Sequence, residues 1–181
     1  MLVLVNTNRM RPAIAPVGLE YAACAARAAG VPVDILDLGL AERADETIQE
    51  FLPTREPRLI GLTFRNVDDC FWPSAQWFVP DLAANIEAIR RMSDAPVVLG
   101  GVGYSVFPRK VLEFSGADFG IRGDGETALP ALYRALVDGN EPRDVPGLVW
   151  RDGDRVRMNP PAWPEEFAVP TMRDMLDNAA Y

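Results

Sequence analysis

The stretch Val97-Val98-Leu99-Gly100-Gly101-Val102-Gly103-Tyr104-Ser105 gives the clearest indication of a fold in this sequence. Three consecutive apolar residues followed by a glycine pair predict a short strand that ends in a tight turn. Unbroken apolarity is typical of strands in parallel sheets, because helices cover both faces of such sheets. The run therefore predicts one strand of a parallel sheet.

Four further segments have the same character, and they alternate with helical patterns. They are predicted strands at Leu2–Asn6, Val33–Leu38, Leu59–Phe64 and Asp118–Ile121. Between them apolar residues recur at helical spacing, as at Leu82, Ile86 and Ile89. Five such repeats predict an α/β fold with a doubly wound, five-stranded parallel sheet, flavodoxin-like or Rossmann-like in type.

The composition changes after Gly139, and three regions are predicted. Residues 1–143 form the α/β domain, and residues 144–159 form a β-hairpin whose turn contains Gly153. Residues 160–181 contain four prolines and no sustained periodicity, which predicts an extended linker with a short helix near Met172–Leu176. Because a compact domain rarely ends this way, we expect the linker to lead toward a part of the protein that this chain lacks.

Composition excludes several classes of function. A net charge of −8 has the wrong sign for a protein that tracks nucleic-acid phosphates, and no apolar run is long enough to span a membrane. The chain has no histidine, which excludes serine–histidine catalysis and histidine-ligated metals within it. Its two cysteines, Cys24 and Cys70, form no disulfide framework, so we expect a cytoplasmic protein.

Candidate binding residues follow from the predicted topology. In a doubly wound sheet, ligands bind beyond the carboxyl ends of the strands. The residues predicted there are Asn6, Thr7 and Asn8 at the first strand; Thr63, Phe64, Arg65 and Asn66 at the third; Gly100, Gly101, Val102 and Ser105 at the fourth; and Gly123, Asp124, Gly125 and Glu126 at the fifth.

Several of these residues have two interpretations. The Gly100-Gly101 pair is either a plain tight turn or a surface on which a bulky planar group lies. Asp124 and Glu126 are either an acid–base pair or carboxylates that favour a helix N-terminus. Arg65 is either a solvated charge or a ligand contact. The aromatic residues between 71 and 78 either pack against protein, including the absent domain, or form a wall beside a ligand.

A resemblance to a known family becomes specific at four groups of residues. They are Pro16-Val17-Gly18-Leu19-Glu20, the stretch 97–108, Ala117-Asp118-Phe119 with Arg122–Thr127, and Pro146–Gly153. In this order they resemble the N-terminal cobalamin-binding domain of cobalamin-dependent radical SAM enzymes and the hairpin that follows it. The resemblance implies a corrin over the carboxyl edge, with its nucleotide tail near Thr63, Gly100, Gly101 and Ser105. The polar loops after the first, third and fifth strands would meet the corrin and its amides.

The resemblance also implies a function and its partners. The chain would bind cobalamin base-off, without a histidine ligand on cobalt. It would be the cofactor module of a radical SAM enzyme, which we expect to be a methyltransferase. S-adenosylmethionine and a [4Fe-4S] cluster would belong to the absent C-terminal radical SAM domain, since no Cys-x-x-x-Cys-x-x-Cys motif is present. We expect the fragment alone to be inactive, with no nucleic acid and no membrane span. The alternatives are a cofactor-free α/β interaction domain and a flavodoxin-like FMN binder.

Overall fold

A computed structural model describes residues 1–163 and 174–181, and one mixed sheet flanked by helices forms its centre. The strands are β1 (Leu2–Asn6), β2 (Val33–Asp37), β3 (Leu59–Thr63), β4 (Val97–Gly100), β5 (Phe119–Ile121), β6 (Leu148–Asp152) and β7 (Arg155–Met158). The helices are α1 (Val17–Ala28), α2 (Ala44–Phe51), α3 (Val79–Arg90), α4 (Val102–Val106), α5 (Pro108–Ser115) and α6 (Gly125–Val137).

The strand order is β2-β1-β3-β4-β5-β6-β7, and the first five strands are parallel. The doubly wound α/β prediction is therefore confirmed. The predicted count of five strands changes to seven, because the C-terminal hairpin continues the sheet rather than standing apart from it. Strand β6 pairs antiparallel with β5 through Gly120 and Val149, which covers the open edge of β5.

Each face of the sheet has its own apolar core, because side chains alternate along every strand. Val3, Leu62 and Leu99 pack with α2, α3 and α5 on one face. Leu4 and Val98 pack with α1 and α6 on the other face. This double coverage explains why the parallel strands are almost continuously apolar in sequence.

Some element boundaries differ from the predicted ones. Helix α4 was not predicted, since it is too short to show a clear apolar period. Strand β5 begins one residue later than predicted, because the Asp118 carboxylate accepts hydrogen bonds from the Val97 N–H and Arg90.

The C-terminal residues 174–181 lie against the domain, which corrects part of the linker prediction. Met175 and Leu176 pack on the apolar core beneath α1 and α6. Asn178 donates a hydrogen bond of 3.0 Å to the buried Glu20 carboxylate of α1. A single 3-10 turn spans Asn178–Ala180, and residues 174–176 are not helical. The first part of the helix predicted near Met172–Leu176 lies outside the described residues.

The contact between Tyr104 and Gly120 gives a test of this packing. A Cβ added at Gly120 would lie 1.9 Å from the fully buried Tyr104 hydroxyl oxygen. We expect Gly120→Ala to lower the free energy of unfolding by about 3 kcal/mol, because the ring has no room to move. In the matched control Gly18→Ala, the exposed helical site has open space, and stability should rise by about 0.5–1 kcal/mol. Urea denaturation measures both, and equal stability of the two variants would contradict this packing.

Candidate functional site

Four residues form a row across the carboxyl ends of neighbouring strands. Asp37 pairs with Asn6, Asn6 with Thr63, and Thr63 with Gly100. Because side chains alternate along a strand, Asn6 and Gly100 face the same side as Leu4 and Val98, which is the side of α1 and α6. The parallel register thus brings three of the predicted binding residues, Asn6, Thr63 and Gly100, to one face.

The two glycines of the pair have different surroundings. A Cβ at Gly100 would meet no atom of residues 1–163 or 174–181 within 4 Å. At Gly101, where φ is +98°, a Cβ would lie 2.9 Å from the Phe64 carbonyl oxygen and 3.0 Å from the Thr63 hydroxyl. The chain itself therefore requires glycine at position 101, as the tight-turn interpretation holds. Gly100 itself is not crowded by the described residues.

The loops after β3, β4 and β5 are tied together by hydrogen bonds. The Ser105 hydroxyl donates to the Gly101 carbonyl at 3.0 Å and accepts from the Gly123 N–H at 3.2 Å. The Tyr104 N–H donates to the Phe64 carbonyl at 3.1 Å. Ser105 therefore positions the loops that surround the free space. Val102, at the start of α4, is 74% exposed and presents an apolar surface beside them.

Asn6 forms part of the floor of this edge. It is fully buried, and its amide donates to the Asp37 carboxylate at 2.8 Å and to the Tyr181 hydroxyl at 3.1 Å. The Tyr181 hydroxyl in turn donates to Asp37 at 2.5 Å. Burial and the hydrogen bond to Asp37 raise the pKa of Tyr181 well above its ordinary value, so the phenol stays protonated.

A cavity of about 480 Å³ lies on the opposite face, at the ends of β1 and β3 and beside α2 and α3. Five predicted residues line it, and they are Thr7, Asn8, Phe64, Arg65 and Asn66. Among them, the Thr7 hydroxyl is already bound to the Thr63 carbonyl at 2.5 Å. Arg65 is exposed, and no ion pair or hydrogen bond of its guanidinium occurs among the described residues. The predicted residues therefore divide between the two faces of the sheet.

The loop after β5 serves first to start α6. The Asp124 carboxylate caps the helix by accepting from the N–H groups of Glu126 and Thr127, both at 3.3 Å. Burial raises the pKa of Asp124, but hydrogen bonds from Glu126 and Thr127 outweigh it and leave the pKa below its ordinary value. Burial, together with the hydrogen bond to Asp124, raises the pKa of Glu126 to about 7. The helix-capping interpretation describes this pair, and Gly125 is the first residue of the helix.

The aromatic residues of the β3–α3 loop are mostly exposed. Phe71, Trp72 and Trp77 are 61%, 89% and 52% exposed, so they do not pack in the core. The loop is held by its own hydrogen bonds, since the Asp69 carboxylate accepts from the N–H groups of Phe71 and Gln76. These side chains form an apolar rim next to the carboxyl edge.

Two residues at this edge were missed by sequence reasoning. Asn85 lines the cavity from α3 and is 8% exposed. The sequence did contain a sign of this role. Asn85 lies on the same helical face as Leu82 and Ile86, where an apolar residue is expected. Tyr181 had no signal in the sequence, since its contact with Asn6 joins residues that are 175 positions apart.

Two features are absent from the described residues. No group of three or more histidine, cysteine or carboxylate side chains there is arranged to hold a metal ion. None of the helices there combines the length and apolarity that crossing a membrane requires. Cys24 is buried and Cys70 is exposed, and the two do not form a disulfide.

Comparison with known proteins gives relatives with the same fold. The chain is 34% identical over 166 residues to a tryptophan 2-C-methyltransferase from Streptomyces laurentii, which covers 89% of this chain and 28% of that protein. The radical S-adenosylmethionine methyltransferase TsrM from Kitasatospora setae, solved with cobalamin and a [4Fe-4S] cluster, superposes with a TM-score of 0.84 at 34% identity. That match covers 88% of this chain and 30% of TsrM, so the chain spans less than a third of either relative.

A more distant structure supports the fold alone. The cobalamin-dependent S-adenosylmethionine radical enzyme OxsB, solved with aqua-cobalamin, superposes with a TM-score of 0.69 at 18% identity. It covers 90% of this chain and 22% of OxsB. The family model for the B12 binding domain matches residues 4–133. This range contains the carboxyl ends of β1 to β5 and the loops that follow them. The chain therefore belongs to the B12 binding domain family.

Proposed function

We propose that this chain binds cobalamin base-off and acts as the cofactor module of a radical SAM methyltransferase. The observation that carries the proposal is the open space beside Gly100, at the end of a strand row that includes Thr63. A glycine with no neighbour at its Cβ position, on the ligand-binding edge of a B12-family sheet, is a place where a bulky flat group approaches the backbone.

The residues on the α1–α6 face fit the nucleotide tail of cobalamin. The tail would pass along Thr63 and Gly100, with Gly101 and Ser105 holding the turn in shape rather than making room themselves. Strand residues at this edge keep their positions through the parallel ladder and through the bond of the Phe64 N–H to the Gly100 carbonyl, 2.7 Å long. The pocket wall is thus rigid before a ligand arrives.

The polar loops fit the rim of the corrin. We assign Asn8, Arg65 and Asn66 to one side of the ring. The loop Gly123–Glu126 would meet another side, where the Gly123 backbone lies beside Pro161. Asn6 and Thr7 would support these contacts from below, because their side chains already bind protein partners. Phe64 and Val102 would supply apolar surface.

The proposed base-off state follows from the residue inventory. No histidine exists in the chain, so a protein imidazole cannot ligate cobalt from this domain. If the nucleotide tail lies along the α1–α6 face, its benzimidazole is held away from the metal. When bound, cobalamin supplies methyl-transfer chemistry at its cobalt, and the chain's own residues bind and orient it.

The rest of the proposed activity belongs to a second domain. The two relatives are about three times as long as this chain, and one of them is named a radical S-adenosylmethionine methyltransferase. Two cysteines far apart, one of them buried, cannot hold a [4Fe-4S] cluster, so we assign that cluster and S-adenosylmethionine to the further domain. We propose that residues 160–181 connect to it, that the chain alone does not cleave S-adenosylmethionine, and that the protein is cytoplasmic and binds no nucleic acid.

The spectrum of the purified chain tests cofactor and ligation together. After incubation with hydroxocobalamin and gel filtration, we expect a bound corrin spectrum of the base-off type. The Co(II) EPR spectrum should lack nitrogen superhyperfine splitting, because no nitrogen base is on the metal. Nitrogen splitting would contradict base-off binding. A colourless chain would favour the interaction domain, and a yellow complex with FMN would favour the flavodoxin-like alternative.

A graded series at Gly100 tests the position of the tail. Gly100→Ala and Gly100→Val should fold normally, since open space surrounds the site, and should weaken cobalamin binding increasingly. For valine we expect about 10- to 100-fold, the range that overpacking of roughly 1.4–3 kcal/mol produces. Absorbance titration measures the affinity.

The control for this series is Gly101→Ala. Its side chain would strike the Phe64 carbonyl, so its main effect should be a lower melting temperature of the unliganded chain. Unchanged affinity in a folded Gly100→Val variant would place the tail elsewhere.

A further inference from the structure

We propose that the cavity on the α2–α3 face is a recognition site for a neutral primary carboxamide, with Asn8 and Asn66 as its hydrogen-bonding pair. The inference rests on the proposed function, because cobalamin carries primary carboxamides around its corrin ring. It adds a specificity: the site would distinguish these amides from the corresponding carboxylates.

Two buried polar atoms without partners carry the proposal. In the part of the chain that the structure describes, neither Asn8 Nδ2 nor Asn66 Oδ1 has a hydrogen-bond partner. Both residues line the same cavity. The other end of the Asn8 amide accepts from the Met10 N–H at 3.3 Å, which fixes Nδ2 as the free donor. An unsatisfied buried polar group is unfavourable, so a partner other than the described residues is called for.

A carboxamide matches this pair in chemistry. Its carbonyl oxygen accepts from the Asn8 amide, and its NH₂ group donates to the Asn66 carbonyl oxygen. A carboxylate satisfies only the Asn8 donor, because it has no hydrogen to offer Asn66 and its oxygen would face another oxygen.

Asn85 supports the same ligand from the helical wall. It is 8% exposed, lines the cavity, and makes no side-chain hydrogen bond with any described residue. It occupies a position on the apolar stripe of α3, where leucine or isoleucine would be expected. A third amide at a buried position of one cavity indicates a polar, uncharged occupant.

The charges around the cavity also favour a neutral ligand. The lining includes the cations Arg9, Arg43, Arg65 and Arg91 and the anions Glu42, Asp45, Asp81 and Glu87. These are four of each sign, so the wall has no net formal charge. Two cations are already paired, Arg43 with Asp45 at 3.5 Å and Arg91 with Glu87 at 3.2 Å. Arg9 donates to the backbone carbonyls of Ala41 and Glu42. A phosphate or carboxylate would find only Arg65 free among the described cations of this wall.

The test compares cobalamin with its separated monocarboxylic acid derivatives, in each of which one amide is hydrolysed. Absorbance titration of the parent chain should show that one derivative binds about tenfold more weakly than cobalamin, the effect of one hydrogen bond lost in a buried site. In Asn66→Ala this discrimination should fall to within about twofold, and cobalamin itself should bind about tenfold more weakly. Asn8→Ala should lower cobalamin affinity similarly.

Stability separates recognition from a structural role. Because the Asn66 oxygen is unsatisfied, Asn66→Ala should leave the melting temperature of the unliganded chain unchanged or raise it. The matched control is Asn140→Ala, an exposed asparagine outside the cavity, which should change neither affinity nor discrimination.

Three outcomes would count against the proposals. A folded Asn66→Ala variant with the parent's affinity and discrimination would overturn the carboxamide site while cobalamin binding stands. A lower melting temperature with unchanged affinity would make Asn66 structural and would also overturn it. A parent chain that binds no cobalamin would overturn the proposed function, and the carboxamide site with it.

Discussion

The parallel register of β1, β3 and β4 is the constraint on which the rest of the site depends. It sets Asn6, Thr63 and Gly100 side by side at one edge, and alternation sends Thr7 and Phe64 to the opposite face. A slip of one residue in any of these strands would exchange the two groups and bury polar atoms in the apolar cores. The apolar residues earlier in each strand therefore fix the positions of the polar residues at its end.

Close approach between loops makes this edge stiff. At Gly101 and Gly103 the turn after β4 passes so near the backbone after β3 that a Cβ at either position would lie within 3 Å of a backbone atom. Ser105 then joins this turn to the loop after β5. In this turn, Gly101 and Gly103 allow close contact within the protein, whereas a Cβ at Gly100 would meet none of the described residues. Similar glycines close together in sequence thus have opposite physical roles.

Much of the fold was predictable because its signals are local. Apolar runs gave the five parallel strands to within one residue at each end, and the turn around Gly153 gave the hairpin. The pairing of that hairpin with β5 was not predictable, since it depends on an exposed strand edge that exists only after folding. At the site, the loops could be named in advance. Their division between the two faces of the sheet could not, because it depends on which face each residue at the end of a strand points to. The contact of Tyr181 with Asn6 carried no local signal at all.

The added hairpin also has a consequence for how these molecules meet one another. It replaces a short apolar edge at β5 with β7, whose residues Arg155 and Arg157 are exposed and alternate with Val156 and Met158. An open strand edge pairs readily with the edge of another molecule, and like charges spaced along it oppose that approach. Arg157 is paired with Asp152 at 3.1 Å, so the positive charge of Arg155 would oppose a second copy aligned beside this strand. The outer strand thus protects the chain against edge-to-edge aggregation at high concentration.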